Sequence, residues 1–229
     1  MKFPSNNKAR IAGLCSSKCL LVQLMAFPIF VVNENQMTRL KIIKSKYLEV
    51  YRKKQPITLA KHFNRIKERP FELKSFGYWA AYSSVYSSMI EGNIIDFDTY
   101  LKFTATGMNT NSKPMREIEC LKDAYEYAST HALNGKNIIE AHKILSKELV
   151  DPEYQGTIRN KEVYIFGDGE LVYTGAKPET VNEEMDKLFD DIATLRAREI
   201  SMTEVFYYAS MIHLTLVKIH PFADGNGRI

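Results

Sequence analysis

The chain has 229 residues, of which 45% are hydrophobic, 25% charged and 11% aromatic. These fractions exclude collagen-like, low-complexity and wholly disordered chains. The net charge of +4 is too small to argue for nucleic-acid binding, and three cysteines cannot make a disulfide framework. Cys15 and Cys19 lie close together, but no partner pair of Cys or His completes a zinc site. The default compartment is therefore the reducing cytoplasm, with no membrane and no nucleic-acid partner expected.

In chain order, residues 1–36 stand apart. They carry four of the basic residues (Lys2, Lys8, Arg10, Lys18) and one acid, Glu34. Residues 19–32 form an apolar run too short for a comfortable membrane span, and no small-residue cleavage site follows it. The segment reads as an atypical extension: spurious sequence before Met37, a signal or anchor, or a short buried segment. Residues 37–229 read as one domain. Helices are predicted over residues 38–52, 56–68 (between Pro56 and Pro70), 71–90, 114–130, 138–149, 180–198 and 203–219. Tyr78, Tyr82 and Tyr86 recur at helical spacing and read as core packing. Residues 162–166 and 170–173 are β-rich runs flanking Gly167-Asp168-Gly169, which predicts a hairpin. A lone hairpin is marginal unless it packs on something, so it reads either as a flap beside a site or as surface decoration. The fold class is all-α with a small β-hairpin flap.

The last stretch carries the chemistry: His220-Pro221-Phe222-Ala223-Asp224-Gly225-Asn226-Gly227-Arg228. Pro221 interrupts the preceding apolar helix, and Phe222 reads as an apolar plug holding a polar loop. Gly225 and Gly227 permit backbone N–H groups to converge on an anion. Arg228 offers a forked cation to phosphate oxygens, and Asp224 a hard oxygen ligand for Mg²⁺. Asn226 either bonds a phosphate oxygen or holds the turn. His220 has the ordinary pKa of a general base. His213, seven residues earlier, faces similarly and reads as a packing histidine. Base, metal carboxylate, anion nest and arginine within nine residues point to phosphoryl or nucleotidyl transfer.

The nonapeptide matches residue by residue the signature of the Fic (Fido) family, His-x-Phe-x-(Asp/Glu)-Gly-Asn-Gly-Arg. Ser87-Ser88-Met89-Ile90-Glu91-Gly92 also resembles the family's inhibitory helix motif, with Ser87 and Glu91 in the defining positions and Gly92 closing it. Gly156-Thr157-Ile158-Arg159 resembles the lead into the family's flap. Residues 205–219 resemble the helix before the catalytic loop. The likeness covers residues 40–229, with a departure at Gly175-Ala176-Lys177-Pro178, where family flaps often run on into prolines.

The resemblance implies transfer of AMP from ATP to a Tyr, Ser or Thr hydroxyl of a protein. His220 would be the base, Asp224 would hold Mg²⁺, and Gly225, Asn226, Gly227 and Arg228 would bind the phosphates. Val163, Tyr164 and Ile165 in the flap would position the target. Glu91 would obstruct the productive ATP pose, and a homodimer is a family habit. The family motif continues beyond Arg228 with a further arginine and a helix, so a chain ending at Ile229 ends inside it. The alternatives are a non-catalytic truncated remnant, or another phosphate-group transferase (kinase or phosphocholine transferase) on the same scaffold.

Overall fold

The computed structural model describes residues 40–54, 73–167 and 169–229. The expected extension at residues 1–36, the predicted helix at 56–68 and Asp168 of the hairpin turn lie outside the described residues. Seven α-helices are present among them: α1 (Leu48–Lys54), α2 (Leu73–Ile90), α3 (Phe97–Thr106), α4 (Lys113–Thr130), α5 (Gly135–Leu145), α6 (Val181–Arg196) and α7 (Met202–Ile219). Strands β1 (Tyr164–Gly167) and β2 (Glu170–Thr174) form the one hairpin among the described residues, with single 3₁₀ turns elsewhere. The mainly helical architecture with a small hairpin is the one the sequence predicts.

Helix starts follow local chemistry. Asn134 and Asp96 cap α5 and α3 by accepting from the N–H groups of Asn137 and Thr99. Ser201 and Glu204 form a reciprocal capping box at the start of α7. Helix α3 is not in the sequence reading; Thr99, Thr104 and Thr106 lower its intrinsic propensity. Its Asp96 cap and the burial of Phe97 and Tyr100 offset that cost.

The helix predicted over 38–52 is corrected: among its described residues only those from Leu48 onward are helical. Residues 41–43 instead point three consecutive N–H groups at Asp191 on α6, at 2.6, 2.8 and 2.8 Å. Tyr207 on α7 donates to the Lys44 carbonyl. A buried carboxylate taking three N–H groups outweighs the helical preference of this short segment.

Among the described residues the core has three parts. Val181, Leu188, Ile192 and Leu195 of α6 pack against Ala209, Ile212, Leu216 and Ile219 of α7. Val85 on α2, Phe97 and Tyr100 on α3, and Met115 and Ile118 on α4 form the second. Ala80, Leu121, Ala124 and Leu145 join α2, α4 and α5 in the third. Ile229 touches the first and third parts, so the segment after α7 returns between them.

The hairpin is antiparallel, with a register irregularity between Ile165 and Phe166. Its outer residues are exposed, Phe166 by 65% and Val172 by 67%. Its base, however, is docked on the end of α7. Tyr173 donates its hydroxyl to the Lys218 carbonyl at 2.9 Å, and the Ala176 N–H donates to the Ile219 carbonyl at 3.2 Å. The hairpin thus packs on the element that delivers His220, which gives it the support a lone hairpin lacks.

Candidate active site at the end of helix α7

Helix α7 stops at His220, whose backbone is left-handed (φ 54°, ψ 62°) and whose N–H still donates to the Leu216 carbonyl at 2.9 Å. Pro221 has no N–H to continue the ladder. The His220 Nδ1 lies 3.3 Å from the Val217 carbonyl. A carbonyl can only accept, so Nδ1 carries the proton and Nε2 keeps its lone pair. Burial lowers the pKa of His220 below the ordinary 6.5, and the nearby charge of Arg159 acts in the same direction, while the Val217 bond and Asp224 oppose it. The ring is therefore neutral near pH 7 and able to take a proton.

From His220 the chain closes a loop on itself. Phe222 is fully buried and stacks on His142 of α5, with ring centroids 3.7 Å apart and planes 4° from parallel. The Asn226 amide spans the loop: its oxygen accepts the Phe222 N–H at 2.9 Å and its nitrogen donates to the Phe222 carbonyl at 2.8 Å. Of the two roles open to Asn226, its side chain takes the turn-holding one. Arg228 and Ile229 donate their N–H groups to the Gly225 carbonyl at 3.0 and 3.1 Å.

The two glycines serve different ends. Gly225 has φ 79°, and a Cβ there would lie 2.9 Å from Leu145 Cδ1. Gly227 has no such backbone requirement, but a Cβ there would collide with the Glu91 carboxylate. Glu91, just past the end of α2, therefore sits directly against the loop. Glu91, Gly92, Asp224 and Arg228 line one concavity, together with Lys113 and Glu148. Ser87, one turn before Glu91, is buried, and its carbonyl accepts the Glu91 N–H at 3.3 Å.

Arg228 is 7% exposed, and its Nε has no hydrogen-bond partner among the described residues. A buried guanidinium N–H without a partner is costly, and an anion bound beside it would remove the cost. Asp224 is exposed and accepts the Gly225 N–H with one oxygen, leaving the other free. One exposed carboxylate suits Mg²⁺, which keeps several waters and takes its remaining ligands from phosphates. No group of three or more His, Cys, Asp or Glu forms a dedicated metal cage among the described residues. The residues present thus fit a metal brought with a nucleotide.

Val163, Tyr164 and Ile165 lie at the start of the hairpin. The Val163 carbonyl accepts the Gly175 N–H at 3.0 Å, and a Cβ at Gly175 would lie 3.2 Å from the His220 Cβ. The structure therefore brings the hairpin base to His220, and Glu91 to Gly227 at the other end of the loop. His213 is half-buried on α7, where burial lowers its pKa.

Two supporting residues are absent from the site residues read in the sequence. His142 is fully buried; its Nδ1 accepts the Gly156 N–H at 3.0 Å and its Nε2 donates to the Asp224 carbonyl at 2.9 Å. Arg159 is 6% exposed and, among the described residues, donates only to main-chain carbonyls, those of Lys161, Ala176, Ile219 and His220. Arg159 lay inside the flap-lead resemblance, which was the available signal. His142 carried no local signal, because one histidine in an amphipathic helix reads as packing.

Residues 132–229 match the model of the Fic/DOC family. The chain is 30% identical over 154 residues to a protein adenylyltransferase Fic of Aedes aegypti, covering 63% of this chain and 29% of that protein. It is 29% identical over 158 residues to that of Drosophila willistoni, covering 65% and 30%, and 25% identical over 152 residues to that of Nematostella vectensis, covering 62% and 34%. The chain spans about a third or less of the length of these curated relatives. No solved structure matches. No helix among the described residues is long and apolar enough to cross a membrane.

Proposed function

We propose that this chain, whose residues 132–229 match the Fic/DOC family model, is a Fic-domain protein that transfers AMP from ATP to a hydroxyl of a protein, and that Glu91 holds this activity down. The observation that carries the reading is the loop from His220 to Arg228. It is closed on itself by Asn226, offers an imidazole nitrogen with its lone pair at one end, and at the other a buried guanidinium Nε without a partner among the described residues.

His220 Nε2 takes the proton of the incoming hydroxyl. The hydroxyl oxygen bonds to the α-phosphorus, the bond from that phosphorus to the bridging oxygen breaks, and pyrophosphate leaves. Arg228 and the loop N–H groups left free hold the phosphate oxygens, where charge develops in the transition state. Asp224 is the residue that would hold Mg²⁺, which when bound neutralises phosphate charge. The exposed main chain of the hairpin offers an edge on which an extended target segment can add as a strand.

Glu91 puts a carboxylate on the ligand side of Gly227. Two unit charges 4 Å apart repel by about 1 kcal/mol in water and about 4 kcal/mol near a protein surface. That suffices to disfavour the pose in which phosphates lie on the loop. The test is transfer of label from ATP to protein. Retention of α-phosphate label with loss of γ label supports AMP transfer. Retention of γ label assigns a kinase instead, and no label on any acceptor refutes transfer.

A further inference from the structure

We infer that Arg159 is a positioning residue that locks the base of the hairpin and the His220 backbone into one unit, so that a target seated on the hairpin is held in register with the base. The inference rests on the transfer reading for its consequence, but on geometry for the coupling itself.

The guanidinium of Arg159 makes four hydrogen bonds to carbonyls of three chain segments. Nη1 donates to Lys161, which leads into β1, at 2.6 Å. Nη2 donates to Ala176, just after β2, at 2.6 Å, and to Ile219 at 3.1 Å. Nε donates to the His220 carbonyl itself at 2.6 Å. The Arg159 main-chain N–H adds a bond to the Pro221 carbonyl at 2.9 Å. Both ends of the hairpin and the last turn of α7 thus meet on one side chain. No carboxylate pairs with Arg159 among the described residues; its partners are carbonyls, including two at a helix C-terminus where a cation is favoured.

The shape requirement is specific. A planar fork with five N–H donors can reach carbonyls in several directions, and an ammonium on a flexible stem cannot reproduce that set. The left-handed backbone of His220 leaves its carbonyl outside the helix ladder, where Arg159 collects it. Gly175 fits the same junction tightly: a Cβ there would lie 2.8 Å from Arg159 Nη2 and 3.2 Å from His220 Cβ. A side chain at Gly175 would therefore crowd both the arginine and the histidine at this junction.

The test uses the 229-residue chain with two variants, Arg159→Lys and Gly175→Ala. The second leaves the arginine and wedges the junction, so it stands if the first fails to fold. Amide hydrogen exchange reads the coupling without needing activity. In both variants, peptides covering residues 161–176 and 219–222 should exchange faster together, by about tenfold or more, while α5 does not change. Exchange that rises on one side only, or not at all, overturns the coupling. Transfer of α-phosphate label then reads the consequence. kcat should fall by about 100-fold, as expected for a misplacement of about 1 Å, while ATP affinity stays within about twofold. Loss of ATP binding in step with kcat would mark Arg159 as merely structural and overturn the positioning role. A wild-type chain that transfers no label at all removes the transfer reading instead, and the exchange result alone then decides whether the two segments are coupled.

Discussion

Replacing Asn226 by Ala separates the two roles the residue could have. Asn226 is 4% exposed, and both ends of its amide are spent on Phe222, at 2.9 and 2.8 Å. Removing the amide strands the Phe222 N–H and C=O. Leaving a buried polar group unsatisfied costs about 1–3 kcal/mol, so the pair predicts a loss of about 2–6 kcal/mol where water cannot enter. Urea unfolding at neutral pH is the assay, with the midpoint falling at unchanged slope. Asn226→Asp should be no better, because a carboxylate accepts the N–H but sets an oxygen against the carbonyl. ATP binding should weaken only in proportion to the loss of the closed loop. An Asn226→Ala chain with wild-type stability and lost ATP affinity would refute this reasoning and return the side chain to the phosphates.

Other outcomes follow from the same geometry. Gly225→Ala should destabilise by roughly 1–3 kcal/mol and abolish ATP binding, since the new Cβ meets Leu145 Cδ1 at 2.9 Å in a left-handed backbone; isothermal titration with Mg·ATP checks it. Asp191→Ala should cost about 3 kcal/mol or more in unfolding free energy, because three N–H groups of residues 41–43 lose their acceptor. Burial lowers the pKa of His142, His213 and His220 from the ordinary 6.5. Their neutral forms therefore contribute stability that is full above about pH 6.5 and is lost as the pH falls from there through the folded values. Denaturation midpoints should drop over that window, and transfer should show an acid limb below pH 6.5 with a plateau above pH 7.

Most of the described helices, the hairpin and the loop motif were legible because each is written in a short stretch. Residues 202–219 show an apolar period, the Asp-Gly turn sits between β-rich runs, and nine consecutive residues carry the loop. What was not legible depends on distant partners. The bend at residues 41–43 is decided by Asp191, about 150 positions away. Helix α3 is decided by where Phe97 and Tyr100 become buried, not by its threonine-rich sequence. His142 and Arg159 matter only because α5 and the segment before the hairpin pass under the loop, 82 and 61 positions along the chain. Glu91 was legible as a motif position, but its approach to Gly227 needed the structure. The sequence alone left both glycines explained by backbone freedom, whereas the structure gives that role to Gly225 and a need for space to Gly227.

The most direct measurement is intact mass of the 229-residue chain and of its Glu91→Gly variant after incubation with Mg·ATP and an acceptor protein, with Glu91→Gly/His220→Ala as control. The account predicts added AMP with the Glu91→Gly variant, at about tenfold or more above wild type from removal of the carboxylate repulsion, and none with the control. Equal AMP addition by wild type and variant would contradict the inhibitory role of Glu91. Addition that survives in the control would contradict His220 as the base, and no addition by any of the chains would contradict AMP transfer by this protein.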